Sequence, residues 1–274
     1  MTDSVIRASG LTLRRKHIDV LHDISFDIPA GAVVGLVGRN GAGKSSLLQC
    51  LTGLAAPDAG HCELLGCPSL DLSDAVRERL GYVAQTPDLF GWMSAEEHLR
   101  AIGRAYPRWD EARCLALAAR LDLPLAHKVR DLSGGDQQKL SVVLALAHDP
   151  DVLLFDEPVA SLDPLSRREF MRAIFSGEDR ERTVIISSHI LSDLERVVTH
   201  LAFIRSGRLQ VLDSWDAMLE HYRVAPAGSE PPGAAIVWRN KAGERALIDT
   251  RLAPELASAS RALTLDELFM ELNA

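Results

Sequence analysis

The chain lacks several things that would place it in other classes. Its four cysteines, Cys50, Cys62, Cys67 and Cys114, show no metal-like pairing. Cys62 and Cys67 are the one close pair, and accidental spacing explains them, so all four read as reduced thiols of a cytosolic protein. The opening MTDSVIRASG has no apolar core of a signal peptide. No stretch approaches the roughly 18 apolar residues that a spanning helix needs. If the protein acts at a membrane, another chain spans it. A dense basic block is missing too, and the net charge of -8 argues against a nucleic-acid-binding face, leaving room only for a local basic patch. There is no internal repeat and no low-complexity tract.

What is present is enough chain, 274 residues, to bury a full core with an appendage. HIDVLHDISFDIPAG alternates apolar and polar residues at Ile18, Val20, Ile24, Phe26 and Ile28, which predicts half-buried antiparallel strand around a turn. AVVGLVG (32–38), DVLLFDE (151–157) and TVIISSH (183–189) differ: short, nearly continuous apolar runs mark strands buried on both faces of a parallel sheet. Helical patterns at 44–54 and 166–175 alternate with them, predicting a three-layer α/β core with ligands beyond the carboxyl ends of the strands. Residues 94–130 carry apolar positions at helical spacing and no strand runs, so a helical insertion is expected at about 90–135. Residues 201–213 read as a hairpin closed at Ser206-Gly207, and APAGSEPPG (225–233) as a linker. AAIVW and RALID then suggest a small β unit, followed by an amphipathic helix opened by Thr264 and Glu267 at capping-box spacing.

GRNGAGKSS fits G-x-x-x-x-G-K-[ST] and sits between an expected strand and an expected helix. Glycines at 38, 41 and 43, with Asn40 and Ala42, let the backbone turn its N–H groups toward phosphate oxygens. Lys44 would neutralise β and γ phosphates, Ser45 would ligate Mg²⁺, and Ser46 continues the helix start. The bland alternative is a glycine-rich turn that merely joins strand to helix. Asp156, ending a buried strand, is placed for the metal shell, and Glu157 for orienting or deprotonating an attacking water. Alone, that acid pair reads equally as a solvated turn or a helix cap. A second anion cradle opens DLSGGDQQKL, where the N–H groups of Ser133, Gly134 and Gly135 begin a helix.

Taken together and in order, these motifs over residues 5–220 resemble the ATP-binding subunit of ABC transporters. The order is the phosphate loop, YVAQ ending in Gln85, a helical insertion, Leu132 to Asp136, the acid pair, SLD (161–163) and a strand ending in His189. The resemblance implies a P-loop NTPase core with a parallel central sheet, an N-terminal antiparallel β subdomain, a helical insertion and a small C-terminal α+β extension. It implies an ATP-binding domain over 1–224, to which composition adds the linker at 225–233 and the extension at 234–274. ATP and Mg²⁺ would be the cofactors, with Ser45, Gln85 and Asp156 toward the metal. Glu157, His189 and Gln85 would serve hydrolysis, and Asp163 would face the partner.

In that family two subunits face head to tail, so Ser133, Gly134 and Gly135 would close over the ATP held by the other subunit. A second ATP-binding subunit is therefore an expected partner. A transmembrane permease is the other, docking near Gln85–Met93, where Phe90, Trp92 and Met93 either line a groove or fold under the insertion as core. Nucleic acid is not an expected partner, and the expected place is the cytoplasmic side, peripheral on the inner face of the cell membrane. AYPRWD (105–110) and LTLDELFMEL look like ATPase subunits of bacterial exporters. Two departures stand out: Asp136 occupies the place of the family's usual glutamine, and Arg15, or less aptly His17, stands where an aromatic ring would stack on adenine. A soluble regulatory module that binds ATP with little turnover, or one acting on ribosomes or DNA, is the alternative. The ribosome- and DNA-acting relatives carry two such domains or a long coiled coil, and this chain has neither.

Overall fold

The computed structural model describes residues 4–160, 162, 164–175, 182–190, 194–226, 228–239, 245–264, 267–268 and 270–271. The N-terminal part is an antiparallel sheet. β1 (Ser4–Arg15) pairs with β2 (Ile18–Pro29) through the two-residue turn Lys16-His17, whose φ angles of 46° and 70° give the mirror-image geometry that suits strand twist. Apolar alternation along β2 is not continuous as expected. Ile18 is exposed, and the buried residues are Leu21, Ile24 and Ile28, because Asp23 takes a φ of 50° and shifts the parity by one.

β3 (Val33–Val37) leads through the phosphate loop into α1 (Lys44–Leu51). β4 (Ala59–Leu64) and β5 (Cys67–Pro68) complete the first sheet in the order β2-β1-β4-β5. After the short α2 (Asp74–Arg77) comes β6 (Leu80–Val83), then the insertion helices α3 (Ala95–Gly103) and α4 (Glu111–Arg120), and α5 (Gly134–Leu146). Ser94 and Glu97 form a reciprocal capping box on α3, and Asp110 caps α4. β7 (Val152–Phe155), α6 (Pro164–Phe175), β8 (Thr183–Ser188), β9 (His200–Arg205) and β10 (Arg208–Ser214) finish the core.

The central sheet runs β10-β9-β3-β8-β7-β6, parallel except for the β9–β10 hairpin, which Ser206 and Gly207 close with φ of 47° and 73°. β7 is apolar at every position, and β3, β8 and β9 are apolar through their middles, because each face is covered. Leu153, Phe155, Val184, Ile186, Leu201 and Phe203 pack with α3 to α6. Val152, Leu154, Ile185, Ala202, Val34 and Leu36 pack with α1 and the antiparallel sheet. Each such buried side chain contributes about 1.5–3 kcal/mol, so the sheet is a stiff platform.

Beyond α7 (Trp215–His221) lies a third sheet of β11 (Tyr222–Val224), β12 (Ile236–Arg239), β13 (Ala246–Asp249) and β14 (Arg261–Ala262), in the order β12-β13-β11-β14. It draws strands from both sides of 225–233. Arg251 ties it to the core hairpin by reaching Asp249 at 2.7 Å and Asp213 at 2.5 Å. Met218, Tyr222 and Leu247 join the same apolar cluster as the central sheet. The C-terminal cap forms as expected, with Thr264 N–H donating to Glu267 and Glu267 N–H to Thr264 Oγ1. Among the described residues, no helix is long and apolar enough to cross a membrane.

Candidate functional site

Parallel strands deliver their carboxyl ends to one edge of a sheet. Here that edge receives the phosphate loop from β3, the acid pair from β7, His189 from β8 and, two residues past β6, the exposed Gln85. The loop's backbone dictates its composition. A Cβ on Gly38 would meet the Ile204 carbonyl at 2.3 Å, whereas Gly41 has a φ of 79° and open space above it. No side chain caps α1 and no acid sits in its first turn, so the N–H groups behind Gly43 face outward without an anionic partner of their own. Asn40 and Gly41 are exposed, Ala42 and Gly43 buried, and Ser45 and Ser46 half-buried at the helix start.

Three of the expected residues meet directly. Lys44, 5% exposed, places Nζ 2.9 Å from Glu157 Oε1 and donates to the Gly38 carbonyl at 2.8 Å. The other carboxylate oxygen of Glu157 lies 3.0 Å from His189 Nδ1. Glu157 is bent into this position by a φ of 46°, a backbone state that costs a non-glycine residue about 1–3 kcal/mol and gathers at functional sites. Asp156, 2% exposed, accepts a hydrogen bond from the Ser187 hydroxyl at 2.8 Å. Burial beside the Asp156 charge pushes the Tyr82 phenol up to about 12. Among the described residues no cluster of three or more His, Cys, Asp or Glu could hold a metal by itself. A hard cation here would need the Asp156 carboxylate, the Ser45 hydroxyl and oxygens from a bound phosphate, a donor set that suits Mg²⁺.

The second cradle stands apart. Ser133 caps α5 by accepting the Asp136 N–H at 3.1 Å, which preserves the helix start. Its hydroxyl proton goes to Asp136 Oδ2 at 2.7 Å, and Lys139 Nζ lies 3.1 Å from the other oxygen. Gly134 is exposed with open space around its Cα, and Gly135 is half-buried. α5 is tied to the segment of Gln85 by Gln138, whose side-chain amide donates to the Ala84 carbonyl at 3.3 Å. Arg15 is exposed, and its guanidinium donates to Gln49 Oε1 on α1 at 2.5 Å. His17 sits in the neighbouring turn. Asp163 lies outside the described residues.

Phe90 and Trp92 are 52% and 67% exposed, so they do not fold under the insertion as core. Met93 is half-buried. Beneath them His98 is buried, stacks on Phe90 and accepts its backbone N–H at 3.2 Å. The thiols of Cys50, Cys62 and Cys114 are pushed up to about 11, 12 and 11 by burial, so none is a poised nucleophile. A separate cleft of about 440 Å³ between β2 and β10, lined by Phe26, Ile28 and Leu209 among others, includes none of the site residues.

Two residues at this edge escaped the sequence reading, Ser187 and Gln138. The signal for Ser187 was a polar residue closing an otherwise apolar strand. Gln138 gave none beyond its place in a helix whose register only the structure supplies.

The family model for the ABC transporter matches residues 21–160. A Nod factor export ATP-binding protein I of Paraburkholderia xenovorans is 36% identical over 195 residues, covering 69% of this chain and 64% of that protein. The probable multidrug ABC transporter ATP-binding protein YbhF of Escherichia coli is 32% identical over 198 residues, covering 70% of this chain and 34% of that protein. The chain thus spans less than two thirds of the length of these relatives. Among solved structures, an ATP binding subunit of an ABC transporter aligns with a TM-score of 0.70 at 28% identity, covering 78% of this chain and 91% of that one. A dimeric ATP-binding cassette bound to ADP and Pi shares the fold, with a TM-score of 0.69 at 24% identity, covering 76% of this chain and 98% of that one.

Proposed function

Because the chain belongs to the ABC transporter family, we propose that it is an ATP-hydrolysing motor subunit that works with a separate transmembrane permease, in the direction of export. The observation that carries this reading is the line Lys44–Glu157–His189 at the carboxyl edge of the sheet, beside a loop shaped for phosphate. The Gly38–Ser45 backbone holds the β and γ phosphates, with Lys44 turning from Glu157 to the phosphate as the anion arrives. Asp156 and Ser45, with Gln85, would hold the metal ion. Mg²⁺ supplies charge neutralisation at the phosphates when bound. Glu157 orients a water and takes its proton, and His189 fixes the carboxylate and contacts the γ-phosphate side.

Ser133 and Gly134 are exposed, and together with Gly135 they close over the nucleotide of a second subunit. ATP then lies between two chains, so dimerisation and nucleotide binding are linked, and loss of the γ-phosphate loosens the pair. Arg15 lies against the adenine side, held by Gln49. The exposed Phe90 and Trp92, propped by His98, form the apolar anchor for a cytoplasmic segment of the permease. On this reading the chain works at the inner face of the membrane without crossing it. The names of the relatives, Nod factor export and probable multidrug transport, support the direction of export.

The test is the solution mass of Glu157→Gln by light scattering, with and without ATP and Mg²⁺. That variant keeps the clamp and removes the base, so an ATP-dependent step from monomer to dimer is expected. A monomer throughout, with ATP demonstrably bound, would overturn the shared homodimeric site.

A further inference from the structure

We propose that Ser187 is a positioning residue for ATP hydrolysis, one hydroxyl that fixes both the metal-side carboxylate of Asp156 and the backbone of Glu157. The inference rests on the ATPase reading above. A serine hydroxyl has one proton to give and two lone pairs to accept with. Here the proton goes to Asp156 Oδ1 at 2.8 Å, and the oxygen accepts the Glu157 N–H, also at 2.8 Å. Ser187 is completely buried, and Asp156 and Glu157 nearly so, so bulk solvent does not offer replacement partners.

Strand register explains why this residue holds that place. β7 and β8 pair Phe155 with Ile186, so the next residue of each strand, Asp156 and Ser187, come side by side where the ladder ends. Glu157 then departs from the strand with a φ of 46°, which takes its N–H out of the sheet pattern and onto the Ser187 oxygen. That bend sends its carboxylate toward Lys44 and toward His189, which lies two residues beyond Ser187, just past the end of β8. The end of β8 therefore holds the acid pair at three points: the Asp156 carboxylate, the Glu157 backbone and the Glu157 carboxylate. Removing the hydroxyl leaves a buried carboxylate oxygen short of a donor and a buried N–H short of an acceptor. Groups that orient a metal ligand in this way typically change metal affinity or activity by about 10- to 100-fold when lost.

The experiment measures affinity for a non-hydrolysable ATP analogue in Mg²⁺ and in EDTA, and the Mg²⁺ concentration giving half-maximal hydrolysis. It uses wild type, Ser187→Ala, Ser187→Thr and Asp156→Asn, each checked for a cooperative melt. Ser187→Ala should lose the Mg²⁺-dependent gain in affinity by about 10-fold or more, keep its affinity in EDTA, and share that defect with Asp156→Asn. Ser187→Thr, which keeps the hydroxyl, should restore most of it. If Ser187→Ala does not fold, Ser187→Cys against Ser187→Thr carries the same comparison. Unchanged Mg²⁺ dependence in Ser187→Ala, with a clear loss in Asp156→Asn, overturns the role of Ser187 alone. Wild type that binds the analogue no better with Mg²⁺ overturns the ATPase reading and this inference with it.

Discussion

The Lys44–Glu157 pair offers the sharpest quantitative test. Its nitrogen and oxygen are 2.9 Å apart, with side chains only 4% and 8% exposed. Removing one partner of a buried ion pair leaves the other without its compensating group and costs about 3–5 kcal/mol. Glu157 keeps His189 at 3.0 Å when Lys44 is replaced, so Lys44→Met should sit near the low end, about 3 kcal/mol in the absence of nucleotide. For a chain of this size that is a fall in melting temperature of roughly 6–12 °C.

Glu157→Gln should cost less, about 1–2 kcal/mol, because the ammonium keeps the Gly38 and Arg39 carbonyls. The double variant removes both charges, so the singles should not add, and the coupling energy should be about 2 kcal/mol. Denaturant unfolding of the four proteins, read by circular dichroism, closes the cycle. Additivity to within about 0.5 kcal/mol would refute the coupling and with it the electrostatic core of the site.

Other outcomes follow from the same geometry. Asp136→Gln releases the Ser133 hydroxyl and removes a carboxylate from the outward cradle; ATP-dependent dimerisation of the Glu157→Gln background should strengthen several-fold, read as the protein concentration at half-dimer. Trp92→Ala, on an exposed ring, should leave melting within about 0.5 kcal/mol of wild type while weakening capture of the permease at least tenfold by co-purification. His98 and His148 are both held below the usual histidine range by burial, with Asp149 opposing and Arg108 reinforcing the effect at His148. The unfolded chain therefore binds more protons as pH falls through about 6.5, so their contribution is complete above that value and is lost below it. Melting from about pH 8 to pH 5 should show the decline, and a His148→Gln variant should flatten it.

Much of the site was legible because its chemistry constrains short segments. Gly38 tolerates no Cβ, Lys44 must follow a glycine turn, and an acid pair must close a buried strand, so each leaves a local mark. Strands buried on both faces announced the parallel sheet in the same way. The alternation along β2 misled because one left-handed residue, Asp23, moves the parity without any mark in the apolar pattern. Residues 234–249 suggested a β unit, yet its sheet also takes Tyr222–Val224 from before the linker stretch, since strand partners are chosen by packing and not by adjacency.

By itself, then, the sequence determined the main strands and helices of the core, the glycine loop between β3 and α1, and the family. Backbone sterics and burial act over a few residues and leave local patterns that can be read without a fold. Only the tertiary structure decided that Lys44, Glu157 and His189 form one line, that Trp92 stays outside, and that Ser187 joins the two acids. Those contacts join residues up to 113 positions apart in sequence, Lys44 to Glu157, and arise where parallel strands end together at one edge, a coincidence of register that no local pattern encodes.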